Sequence, residues 1–170
     1  MLDFLFRRLT AEPQHGAELF DAVTMIAREP HWYVEGTVPD TIDGRFAVLA
    51  TVIALILVRL EAEGEDGNSV SVALTERFVE VMESEHRELG LGDPTLGRTV
   101  RKLVGSLARR NDLWRSAVNG QTPWATAARE SLYKGSVSAE ALDHSASALE
   151  LSWTRLQRAP LTKIAQGRLQ

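Results

Sequence analysis

The uncharged apolar run Phe46-Ala47-Val48-Leu49-Ala50-Thr51-Val52-Ile53-Ala54-Leu55-Ile56-Leu57-Val58 constrains this chain more than any other feature. Wound as a helix it is apolar on nearly all sides, so it must be surrounded by other elements or by lipid. A membrane span asks for roughly 18 or more such residues, and this run stops short. It predicts a buried core helix, and the rest of the chain must supply its neighbours.

The residues before the run describe how that helix begins. In Val38-Pro39-Asp40-Thr41-Ile42-Asp43-Gly44-Arg45-Phe46, Pro39 pushes Val38 into an extended conformation and Asp40 can cap the first-turn amides. Asp43 adds negative charge at the positive end of the helix dipole. The helix is expected to start near Thr41 and close around Gly64.

Other segments carry helical periodicity. One helix is expected over Gly16 to Arg28, with Leu19, Phe20, Val23, Ile26 and Ala27 on one face. Glu29 to Thr37 reads as a packed loop, and Glu65-Asp66-Gly67-Asn68 as an acidic turn before a helix from Ser69 to Leu89. In Gly90-Leu91-Gly92-Asp93-Pro94, Gly90 suits the left-handed position, Leu91 can fold back on the last turn, and Asp93 and Pro94 suit the next helix start. That helix runs to about Val118, with Leu96, Val100, Leu103, Val104, Leu107 and Trp114 apolar on one side. A short helix follows Pro123 through Leu132, and a last one spans Ser138 to Arg158, stopped by Pro160. No strand alternation of comparable length is present. The fold class is all-α: a single-domain bundle of five or six helices around a buried apolar central helix. Residues 1–170 form one domain, divided into an N-terminal amphipathic lead-in (1–14), a helical core (15–135) and a C-terminal helix and tail (136–170).

Composition narrows the chemistry. The chain has no cysteine, which excludes disulfides, thiolate nucleophiles and thiolate metal sites and fits a reducing, cytoplasmic setting. Nineteen Lys and Arg against 23 Asp and Glu give a net charge of −4, so DNA is not expected as a partner. The charge is segregated, however. Between Glu61 and Glu88 there are nine acids against two arginines, whereas Arg98 to Arg115 holds six basic residues against Asp112 alone. Arg98, Arg101, Lys102 and Arg109 form a basic helix face, either solvated and balanced by the acidic helix or turned toward lipid phosphate, ribosomal RNA or an acidic protein.

Catalytic and metal patterns fail on inspection. Glu83 and His86 have the Glu-x-x-His spacing of carboxylate di-iron bundles, but such a site needs a second copy and two further glutamates. Asp40 and Asp43 do not continue into a calcium loop, since Pro39 and Ala50 occupy positions that require oxygen ligands. His144 beside Asp143, with Ser145 and Ser147, lacks a nucleophile elbow, and no phosphate-binding glycine motif exists. No enzyme, cofactor or metal is expected.

The chain resembles the ubiquinol-cytochrome c chaperone family, as a bacterial member. The resemblance is carried by Val38 to Phe46, by the apolar helix with Arg59-Leu60, and by Arg87-Glu88-Leu89-Gly90-Leu91-Gly92-Asp93, continuing into Leu96-Gly97-Arg98 and Val100-Arg101-Lys102. It covers about Leu19 to Arg110. Ser106-Leu107-Ala108-Arg109-Arg110 departs from the family's aromatic-glycine-arginine pattern. The resemblance implies a non-enzymatic assembly factor for respiratory complex III that holds newly made cytochrome b. It further implies association with the ribosome and with a small helical partner protein, while the basic helix face is what points to an anionic inner-membrane surface. The alternative is a membrane-surface or ribosome-binding adaptor without a cytochrome client. Partner contact is expected at Asp40, Asp43, Arg45, Arg98, Arg101, Lys102 and Arg109, with Trp32, Tyr33 and Phe46 either core or lining a client groove. Arg45 could instead pair with an acid such as Glu88, which would make the motif structural.

Overall fold

The computed structural model describes residues 14–90 and 92–169, so the lead-in expected at 1–14 lies outside it except for Gln14, and so does Leu91. Among the described residues there are seven α-helices and no strand. They are α1 (Gln14–Ala27), α2 (Ile42–Glu61), α3 (Gly64–Glu88), α4 (Asp93–Val118), α5 (Trp124–Leu132), α6 (Ala139–Arg158) and α7 (Leu161–Ala165), with a 3-10 turn at Pro30–Trp32. The all-α, single-domain reading holds, and α7 adds one short helix to the expected set.

Helix α2 is the axis of the bundle. Val48, Ala50, Ile53, Ala54, Leu55, Ile56 and Leu60 are all essentially inaccessible, which buries every face of the helix. It packs against α1, α3, α4, α5 and α6. Full burial of each large aliphatic side chain contributes about 1.5–3 kcal/mol before entropy is counted, so this helix dominates the core. Among the described residues, no helix is long and apolar enough to cross a membrane.

Several boundaries move for physical reasons. Thr41, not Asp40, caps α2: its Oγ1 accepts from the Gly44 amide at 3.2 Å. Asp40 is instead drawn off by Arg45 at 2.6 Å. Helix α2 ends at Glu61 and α3 begins at Gly64, so the acidic stretch expected as a turn is the first turn of α3. Gly64 at φ +62° turns the chain directly from one helix into the next. Glu65 and Asp66 then sit where the helix dipole favours negative charge. Gly92 occupies the cap of α4, and Asp93 is already helical. The segment expected as a loop over 29–37 contains the 3-10 turn.

Past Pro160 the chain does not trail away. It forms α7, whose Ile164 is fully buried, and α7 packs on α1. Arg59 secures this end of the molecule: Nε donates to the Leu156 carbonyl at 2.9 Å, Nη2 donates to that of Ala159 at 3.2 Å, and Nη1 pairs with Glu63 at 2.6 Å. Carbonyls at a helix C-terminus are short of intrahelical partners, and one central arginine donates to two of them, the Leu156 carbonyl also accepting from the Ala159 amide at 3.2 Å.

Candidate functional site

The motif at the head of α2 is a tightly fitted entry. Val38 is buried, and its amide donates to the Trp32 carbonyl at 3.0 Å. A Cβ on Gly44 would run into the carbonyl of Pro39, so glycine is what lets the extended segment lie against the first turn of the helix. Asp40 and Arg45 pair with each other, and Asp43 accepts from Lys134 Nζ at 2.6 Å. The Arg45 hydrogen bond holds the Asp40 carboxyl below its ordinary range, and Asp40 in turn raises Arg45. Glu88, the other acid considered for Arg45, is not its partner. Both ion pairs are highly exposed, with side-chain exposures of 65% and 58% for Arg45 and Asp40 and of 82% and 75% for Lys134 and Asp43. Pairs this open to water contribute little to stability.

Beside this entry lies a groove of about 560 Å³. Its apolar lining comes from Phe20 of α1, Ile42, Phe46 and Leu49 of α2, Val81 of α3 and Leu103 of α4. Ile42 is 71% exposed, a large aliphatic group left in water on the rim. Charged groups of both signs surround it: Asp21 from α1 and Arg28 just past its end, Asp43 and Arg45 from α2, Arg77 and Glu85 from α3. An apolar floor with a mixed polar rim is the usual form of a protein-binding cleft.

The three aromatic residues separate. Trp32 is buried and donates its indole N–H to the Ile26 carbonyl at 2.8 Å, which makes it core. Tyr33 and Phe46 are half-buried and line the groove. Tyr33 donates to the Ala27 carbonyl at 2.7 Å, and burial pushes its phenol pKa up. Phe46 lies against Phe78, with ring centroids 6.2 Å apart, and the Arg110 guanidinium carbon is 5.8 Å from its centroid. Arg110 also donates to the carbonyls of Ser106 and Ser131, and burial lowers its pKa. It was legible only as one more basic residue in a charged run.

Arg98, Arg101, Lys102 and Arg109 are all exposed on α4, while Leu103 of the same helix turns to the groove. No ion pair joins these four to an acid among the described residues. The link between α4 and the acidic segment falls instead at Arg115, which pairs with Glu61 and with its own neighbour Asp112. The expected contact residues thus form two sets: Asp43 and Arg45 at the groove, with Asp40 held by Arg45, and the four basic residues on a separate helix face.

His86 Nδ1 is 2.7 Å from the carbonyl of Met82, one turn earlier. Among the described residues, no group of three or more His, Asp or Glu is arranged to hold a metal ion. His144 does not meet a serine. Its Nε2 is 3.1 Å from Nδ1 of His31, whose Nε2 is 3.1 Å from Glu29. Ser145 is engaged by Tyr133, whose hydroxyl is 2.7 Å away. No nucleophile and base are assembled there.

The model of the family described as ubiquinol-cytochrome C chaperone matches residues 35–170. That match starts at the motif segment and runs through the C-terminal third, beyond the stretch ending at Arg110 that carried the resemblance in sequence. A crystal structure of the Cbp3 homolog from Brucella abortus has the same fold, with a TM-score of 0.77 at 24% identity, covering 98% of this chain and 94% of that one. No curated protein matches the chain.

Proposed function

We propose that this chain, which belongs to the ubiquinol-cytochrome C chaperone family, is a non-enzymatic assembly chaperone for ubiquinol–cytochrome c reductase that holds newly made cytochrome b. The family match over 35–170 carries this reading. The groove supports it physically, because a helper for a hydrophobic client needs an apolar surface that stays open in the folded state. The groove of about 560 Å³ beside Ile42 and Phe46 is such a surface. On this reading Asp43 and Arg45 form its polar rim, and the helix and tail over 136–170 brace the groove's central helix through Arg59.

The reaction-free mechanism is a transfer of apolar area. A client helix lays aliphatic side chains against Phe46, Leu49, Val81 and Leu103, each gaining roughly 25 cal/mol per Å² removed from water. It leaves when its own partners in the complex bury more. The exposed basic face of α4 favours a second element of the reading, attachment to anionic lipid or to the ribosome, because closely spaced cations gain most from a surface of closely spaced phosphates.

Deleting the gene tests the proposal. Assembled cytochrome b is expected to fall while its messenger is unchanged, and wild-type levels of the complex would overturn it. The rival adaptor without a cytochrome client is separated by reversing Arg98, Arg101 and Lys102 to glutamate. That reading expects salt-sensitive binding to anionic vesicles or ribosomes to be lost with no change in complex III.

A further inference from the structure

A second cavity lies on the other side of the core, away from the groove and the basic face. It has a volume of about 120 Å³ and is closed by α2, α6, the 3-10 turn and Leu169 near the C-terminus. Its inner wall is apolar: Trp32, Val52, Leu55, Ile56 and Leu149 are each at most 7% exposed. Native interiors hold few voids larger than a water molecule. An engineered apolar cavity of about 150 Å³ stays dry and takes up benzene, so a void of this size and lining is a site for a small ring.

The open end is different. The polar and exposed part of the lining is Glu29, His31 and Arg155 together with Leu151, which is 52% exposed. Glu29 is paired with His31, and His31 is in turn hydrogen-bonded to His144. Arg155 is exposed and has no ion-pair partner among the described residues. The hydroxyl of Ser152, also on the lining, already donates to the Ala148 carbonyl at 2.8 Å. The mouth therefore presents one acid and one base. A carboxylate gains at Arg155 what it loses at Glu29, and an ammonium the reverse, so neither charge gains a net attraction to offset its loss of water. A neutral hydroxyl avoids that cost, because it can donate toward the carboxylate and accept from the guanidinium.

We infer that this cavity is a binding site for a small, neutral, hydroxylated ring of about the size of phenol, with the ring against Trp32 and Ile56 and the hydroxyl between Glu29 and Arg155. The site is independent of the proposed client groove, and its failure would leave that reading untouched.

The test is an NMR titration of the full chain at pH 7.5, following the Trp32 indole N–H with phenol, benzoate and benzylamine as probes. Phenol is neutral at that pH, because phenolic groups ionise near about 10. A saturable Trp32 shift is expected with phenol, with benzoate and benzylamine each weaker by about tenfold, the size of one lost hydrogen bond. Ala148→Leu fills the cavity and is expected to abolish the shift. Arg155→Gln, at an exposed position, leaves the fold intact and is expected to move the preference toward benzylamine. A shift that does not saturate, a charged probe that binds as well as phenol, or an unchanged preference in Arg155→Gln overturns the assignment.

Discussion

At the scale of single residues, two positions around α2 hold the molecule in register, and both lie in motifs readable in the sequence. Arg59 is largely buried, and its fork reaches two carbonyls at the end of α6 while pairing with Glu63. Removing it leaves the Ala159 carbonyl and the Glu63 carboxylate without this partner, and the Leu156 carbonyl with the Ala159 amide alone, so Arg59→Ala is expected to lower stability by about 2–4 kcal/mol, seen as a lower urea midpoint. Arg59→Lys keeps the charge but not the fork and should recover only part of the loss. A midpoint unchanged in Arg59→Ala would refute this role. Gly44→Ala forces a methyl group onto the Pro39 carbonyl and is expected to cost about 1–3 kcal/mol. Sequence showed that this segment enters a capped helix, but it assigned the cap to Asp40, whereas Thr41 supplies it. Both residue types are good caps, and what decides is that Arg45 holds the Asp40 carboxylate while the Thr41 hydroxyl meets the Gly44 amide. Sequence likewise hid Arg110, whose place over Phe46 depends on two helices meeting.

At the scale of elements, apolar stripes found α1, α3, α4 and α6, because tertiary burial follows the pattern that produces the stripe; the all-round apolar run found α2, and the start at Pro123 found α5. The misses are local. Helix α3 begins at Gly64, since acids suit a helix N-terminus as well as they suit a turn. Helix α7 is only five residues long, too short to show a period. Between α2 and α4, Arg115 bonds Glu61 at 2.6 Å, and this hydrogen bond depresses the Glu61 pKa below its ordinary 4.5. The contribution of a carboxylate lowered in the folded state is complete above its unfolded value and disappears as pH falls through the folded one. Glu61→Gln is therefore expected to be less stable than the parent by under ~1 kcal/mol at pH 7, given its exposure, and the gap should close below pH 4.5. Urea unfolding of both proteins across that range checks it. A gap that widens in acid would contradict the pairing.

At the scale of the whole molecule, the bundle was legible and the groove was not. Burial of α2 on all sides follows from its sequence, but a cleft is what remains where α1, α2, α3 and α4 fail to close, and no single segment encodes that. Trp32, Tyr33 and Phe46 looked equivalent in sequence, whereas packing sends Trp32 inward and leaves the other two at the cleft. The separation of the groove from the basic face also has a consequence. Ile42→Asp should impair client holding without reducing vesicle or ribosome attachment, and reversal of Arg98, Arg101 and Lys102 should do the opposite. The most direct measurement places a photo-crosslinking residue at Ile42, or at Leu151 as an exposed apolar control outside the groove, on the lining of the separate small cavity, and identifies what is captured during synthesis of the respiratory chain. Newly made cytochrome b is expected from position 42 and not from position 151. Its absence at position 42, or equal capture at both positions, would contradict the groove as the client site.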